Sequence, residues 1–148
     1  MANTYVNNIV HIVFRVKSKD KLILADDLVH IHKYIGGITK GTGGTLIEVG
    51  GMPDHVHLLV SLPKIMSLSD FVKTIKANSS RWIKELNPYY SSFSWQDGYG
   101  AFSVSASVVP KVVNYIRNQE NHHKQRSFMD EYKSFLNACG IEYDEQYL

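Results

Sequence analysis

The chain is poor in cysteine and proline, nearly neutral overall, and free of long hydrophobic runs, and each shortage removes a class of protein. A single cysteine, Cys139, among 148 residues excludes an internal disulfide and fits a reducing compartment. Its position near the end of an apolar-periodic helix predicts a small buried hydrophobe, not a reactive thiol. No stretch approaches the roughly 20 apolar residues of a membrane span. The first residues lack the basic-then-apolar pattern of a secretory signal, so a soluble cytoplasmic protein without a membrane partner is expected. Sixteen Lys and Arg against fourteen Asp and Glu leave a formal charge of +2, which permits a polyanionic partner without arguing for one. There is no P-loop, no internal repeat and no linker. What is present is 44% hydrophobic content, enough to bury a core, and the chain reads as a single domain over residues 1–148.

Hydropathy patterning supplies the order of elements. Val10, Ile12, Phe14 and Val16 alternate with polar or second-face residues over Asn8 to Lys17, which predicts a strand. Leu24, Leu28, Ile31, Ile35 and Ile38 carry a helical spacing from Lys21 to Ile38, stopped by Gly41, Gly43 and Gly44. Thr45 to Val49 predicts a second strand, and the turn formers Gly50-Gly51-Met52-Pro53-Asp54 lead into a third. Ser67 with Asp70 caps a helix to Leu86, ended by Asn87-Pro88. Phe93 to Trp95 and Ala101 to Ser107 read as extended. Pro110 opens a helix to about His123, and Ser127 with Asp130 caps a last one, amphipathic through Phe128, Tyr132, Phe135 and Leu136, with Gly140 past its end. Up to Ser107 the order is β-α-β-β-α-β, an α+β ferredoxin-like antiparallel sheet with two helices on one face and the other face free. Two C-terminal helices are added to it.

The third strand carries His55-Val56-His57. Strand side chains alternate, so the two imidazoles share one face, about 6 to 7 Å apart, while Val56, Leu58 and Val60 share the other. Taken alone, such a pair more often forms the polar face of a half-buried strand. A second constellation changes the balance. Tyr115 and Gln119 lie four residues apart on one predicted helix face. A phenol, with a pKa of about 10, is a poor nucleophile at neutral pH, but it becomes effective against a phosphodiester polarised by a cation. His55, His57 and the side-chain carbonyl of Gln119 would hold that cation. Attack by Tyr115 would store the phosphoester energy in a phosphotyrosine link, with no need for ATP.

These residues, together with Gly36-Gly37, the run from Gly50 to Val60, the run from Trp95 to Ser105, and Tyr115-Ile116 with Asn118-Gln119, resemble the single-tyrosine HUH transposases of bacterial insertion sequences. The resemblance covers nearly the whole chain in order and spacing. It implies a transposase that cleaves and rejoins single-stranded DNA with hairpin ends, acting as a homodimer dependent on Mg²⁺ or Mn²⁺. His55 and His57 match the metal histidines, Gln119 the third ligand and Tyr115 the nucleophile. It also implies that the tyrosine helix can dock on the partner, so that each site joins the histidines of one chain to the tyrosine of the other.

For DNA contact the sequence offers Lys73, Lys76, Arg81 and Lys84, a basic stripe opposite the apolar face of the second long helix. Phe93 and Trp95 read as core, and Tyr89 or Tyr90 is available to stack on a base. His11, His30 and His32 have no metal spacing and read as ordinary strand and helix-surface residues. Three other functions fit parts of the pattern. A domesticated nickase would share the chemistry, a water-using metal hydrolase would leave Tyr115 idle, and a non-catalytic nucleic-acid-binding module would need an RNP-like aromatic pattern that Gly98 to Val104 echoes only faintly.

Overall fold

A computed structural model describes residues 3–148. Four strands, β1 (Ile9–Arg15), β2 (Thr45–Met52), β3 (His55–Ser61) and β4 (Gly100–Ser103), form one antiparallel sheet in the order β2-β3-β1-β4. With α1 (Leu28–Gly41) between β1 and β2, and α2 (Leu68–Leu86) between β3 and β4, this is the ferredoxin-like arrangement that the sequence pattern predicts. Met52 pairs with His55, so Pro53 and Asp54 alone turn the chain from β2 into β3. Ser67 caps α2 through its side chain, which accepts from the Asp70 N–H, and Ser127 does the same for Asp130.

The alternation along β3 sorts its residues between two layers. Val56, Leu58 and Val60 join Val10, Ile12 and Phe14 against Ile31 and Ile35 of α1 and Phe71, Val72, Ile75 and Ile83 of α2. Phe93, Trp95 and Tyr90 complete this core, and the Trp95 indole donates to Ser79 Oγ at 2.9 Å. Tyr90 is therefore packed inside and is not a stacking platform. Cys139, by contrast, is exposed. It caps the last helix just past Ala138, where the helix is already turning away from its apolar face.

The second sheet face is not free. Among the described residues, α3 (Val109–Arg117), α4 (Gln119–His123) and α5 (Phe128–Ala138) follow β4, and two apolar clusters seat α3 and α5 on this face. Ile116 packs with Ile9 and Leu59, and Phe128, Tyr132 and Leu136 pack with Val13 and Phe102. The single helix expected from Pro110 to His123 is interrupted at Asn118, whose φ of −97° and ψ of 23° leave the helical region. Asparagine is a weak helix former, and its side chain competes for backbone hydrogen bonds. The strand expected from Ala101 to Ser107 stops at Ser103, because Ala106–Val108 already forms a tight helical turn into α3.

Two glycines allow this close approach. A Cβ at Gly50 would lie 2.8 Å from both the side chain and the carbonyl oxygen of Ile116, and one at Gly100 would lie 2.7 Å from the Tyr132 ring. The Gly50→Val variant is therefore expected to push α3 off the sheet and to destabilise the fold by about 1–3 kcal/mol, the usual cost of overpacking. Urea denaturation measures this, and an unchanged midpoint would show that α3 is not held at this distance.

Candidate active site

Because β3 is covered on both faces, its histidines are interior residues. His55 and His57 are fully buried on the second face, pointing at α4 and α5. Each imidazole is gripped at Nδ1, which aims Nε2 into the same space. His55 Nδ1–H donates to the Asp54 carboxylate at 2.7 Å. His57 Nδ1 lies 2.8 Å from His11 Nε2. His11 is thus a buried partner of the site and not an ordinary strand histidine. It is packed edge-on against Phe102 and Phe135, and burial together with the neighbouring His57 lowers its pKa to about 3. His30 is exposed and His32 half-buried on α1, as befits helix-surface residues.

Gln119 and Tyr115 do meet the histidines, although the helix carrying them is broken between them. Gln119 Oε1 lies 2.9 Å from His55 Nε2 and 3.0 Å from His123 Nε2. The Tyr115 ring lies edge-on to His57, with centroids 5.9 Å apart, and its outer face is stacked on His122.

Sequence reasoning missed Glu131. It sits on α5 with no exposure to solvent. Its Oε1 accepts from His57 Nε2 at 2.8 Å and lies 3.7 Å from His55 Nε2, and its Oε2 accepts from the Tyr115 hydroxyl. Burial pushes this carboxyl up, but the His57 hydrogen bond and charge prevail and hold it at about 2. Burial pushes the Tyr115 phenol well above its usual value, and the hydrogen bond to Glu131 pushes the same way. The same burial lowers the His57 pKa. One signal was available in the sequence: Glu131 lies at the third position after Phe128 and next to Tyr132, a charge on the apolar stripe of an otherwise amphipathic helix.

The donor set suits a divalent cation. His55, His57 and Glu131 bring ligand atoms within 4.8 Å of one another in a buried space, and Gln119 adds a carbonyl oxygen. With Asp54 accepting from Nδ1 of His55, Nε2 is the ring nitrogen that would turn to a cation in place of its contact with Gln119 Oε1. His57 offers its Nε2 in the same way once its proton rests on Nδ1, where His11 Nε2 accepts it. Partners that fix the outer nitrogen of a histidine in this way are a regular accompaniment of metal sites. Two imidazoles with a carboxylate and an amide oxygen match Mn²⁺ as well as Mg²⁺.

The basic stripe lies elsewhere. Lys73, Arg81 and Lys84 are exposed on α2, across the sheet from the histidines. Lys76 is half-buried and spent on the chain itself, donating to the carbonyls of Gln96 and Gly98 at 2.8 and 2.7 Å. The structure does not bring these four to the site.

The model of the family described as transposase IS200-like matches residues 4–119. The chain belongs to the IS200-like transposase family. Among its relatives, the ISDra2 transposase TnpA of Deinococcus radiodurans is 26% identical over 116 residues, covering 75% of this chain and 83% of that protein. The transposase for insertion sequence element IS200 of Salmonella typhimurium is 25% identical over 129 residues, covering 84% of each. The fold of this family member is shared with a crystal structure of a D. radiodurans protein assigned as a transposase, at a TM-score of 0.61 and 24% identity over 80% of this chain and 96% of that one. It is shared equally with a REP-associated tyrosine transposase bound to a REP hairpin, at a TM-score of 0.61 and 14% identity over 83% and 73%. Among the described residues, no helix is long and apolar enough to cross a membrane.

Proposed function

We propose that this IS200-like transposase cleaves and rejoins single-stranded DNA through Tyr115, with a divalent cation held by His55, His57 and Gln119. One observation carries the reading: the Tyr115 hydroxyl reaches the same buried carboxylate that pairs with the metal-facing nitrogen of His57. A water-using hydrolase would have no use for a phenol in that position, and a non-catalytic binding module would have no use for a buried polar cluster. When bound, the cation would polarise the phosphate oxygens and offset charge in the transition state. The protein's own part is to orient. Asp54 and His11 set the imidazoles, α3 and α4 place the tyrosine and the amide, and Phe128 and Phe135 close the space around His55 and His57. In the reaction the Tyr115 oxygen–phosphorus bond forms as the phosphorus–oxygen bond to the leaving sugar breaks. The phenol releases one proton and the leaving oxygen takes one up.

For the substrate we propose single-stranded DNA with hairpin ends, supported by the fold shared with a transposase bound to a REP hairpin. Covalent capture tests the core of the reading. Incubation with hairpin-ended single-stranded DNA and Mn²⁺ should yield a protein–DNA adduct that survives denaturation.

For assembly we propose a homodimer, and in place of the shared sites that the family resemblance implies we propose sites completed within each chain, supported by the Tyr115 hydroxyl resting on Glu131. Mixing His57→Ala with Tyr115→Phe tests this. A verified heterodimer should stay at least about 100-fold below the parent, because each within-chain site keeps one defect. Recovery of about half the parental adduct would place the tyrosine across the interface.

A further inference from the structure

Glu131 and the helix that carries it lie beyond residues 4–119, the segment matched by the family model. We propose that Glu131 is a two-oxygen bridge, in which Oε1 is a ligand of the cation alongside His55 and His57 and Oε2 holds the Tyr115 hydroxyl beside it. This deepens the reading above and rests on it. The carboxylate thereby makes α5, an addition to the ferredoxin-like core, the element that sets how far the nucleophile stands from the metal.

Four observations carry the proposal. First, the two oxygens of one rigid planar group are divided between the two halves of the site: Oε1 lies 2.8 and 3.7 Å from the two histidine Nε2 atoms, and Oε2 takes the phenol. Second, Glu131 is completely buried, and a buried carboxylate persists only where partners offset its desolvation. Its partners are site residues, with the Gln119 amide and His123 Nε2 each 3.4 Å from Oε2. Third, it is the carboxylate that joins His55 and His57 in the cluster able to hold an ion, and a hard oxygen donor supplies what two imidazoles lack for magnesium or manganese. Fourth, α5 is fixed on the site by more than this residue. Phe128 stacks on His55 with ring centroids 4.3 Å apart, and Phe135 lies edge-on to Tyr115 at 5.6 Å. Tyr132 fills the space over Gly100. A carboxylate so anchored positions its partners more than it follows them.

The test compares Glu131→Gln, which keeps the shape and a carbonyl acceptor but removes the charge, with Glu131→Asp, which keeps the charge but draws it back by one methylene. The first readout needs no activity. Mn²⁺ titration of the DNA-free protein, followed by electron paramagnetic resonance, should show Glu131→Gln binding at least about 10-fold more weakly. Glu131→Asp should bind within about threefold of the parent, and so should Tyr115→Phe, which keeps every proposed ligand. The second readout is single-turnover adduct formation at saturating Mn²⁺, where metal affinity no longer limits. Both Glu131 variants should be at least about 10-fold slower with unchanged affinity for single-stranded DNA, as expected of a lost positioning contact. Near-UV circular dichroism verifies the fold, and if Glu131→Gln does not fold, Glu131→Asp alone decides through its slow chemistry with intact Mn²⁺ binding. Parental Mn²⁺ affinity in folded Glu131→Gln would overturn the ligand half. Parental adduct rates at saturating Mn²⁺ would overturn the positioning half. If the parent itself forms no adduct, the tyrosine chemistry has failed, and the Mn²⁺ titration still judges Glu131 as a ligand.

Discussion

Tyr115→Phe should form no covalent adduct and cleave no DNA, with a loss on the order of 10⁴-fold or more, as for other deletions of a nucleophile that works as part of a unit. The substitution removes one oxygen and leaves the ring in place against His122 and Phe135. Folding and DNA affinity should therefore persist. Glu131 keeps its hydrogen bond from His57 at 2.8 Å, so the buried carboxylate is not orphaned by the change. Peptide mapping of an adduct trapped on the parent should place the DNA on Tyr115. An adduct on Tyr99 or Tyr132, or cleavage that continues in the phenylalanine variant, would reject the assignment. Tyr132 is the most informative control, because it lies in the same helix as Glu131 but packs its ring over Gly100.

The double variant His55→Ala/His57→Ala should lose both Mn²⁺ binding and cleavage, with affinity falling by more than the roughly 10- to 100-fold typical of losing a mere outer partner. Both side chains are buried, so some loss of stability is expected as well, and Mn²⁺ titration of the folded fraction separates the two effects. A single His11→Ala change is a useful comparison: it removes the partner at 2.8 Å from His57 Nδ1 while sparing every proposed ligand. Cleavage by the double variant at the parental rate would show that the histidines serve packing alone.

Much of this was legible in the chain because it depends on local periodicity. Alternation in β3 placed His55 and His57 opposite Val56 and Leu58, and the caps at Ser67 and Ser127 began α2 and α5 where they were expected. The separation of four between Tyr115 and Gln119 survived even the break at Asn118, since both still face the histidines. What was not legible depends on how distant elements pack. Glu131 follows His57 by 74 positions, and no spacing rule connects a strand to a helix that crosses its far face. The role of His11 is hidden from the sequence for the same reason. Its strand was recognised, but the register that pairs it with Leu59, diagonal to His57, is a property of the assembled sheet. On α2 the exposed positions of Lys73, Arg81 and Lys84 follow helix polarity, but helix polarity cannot tell which sheet face the helix will cover.

The two-residue turn at Pro53-Asp54 gives β3 a division of labour by parity. Even-numbered positions 56, 58 and 60 answer to the aliphatic core, and odd-numbered positions 55 and 57 answer to chemistry. A seven-residue strand thus carries two independent sets of constraints, interleaved one by one. Volume-conserving exchanges in the even set are cheap, because a core tolerates aliphatic swaps that preserve its volume, and they leave the odd set where it is. Gaining or losing one residue is a different event, for it exchanges the two sets wholesale and sends the imidazoles into the hydrocarbon layer. Over evolutionary time this strand can therefore drift in composition but not in length.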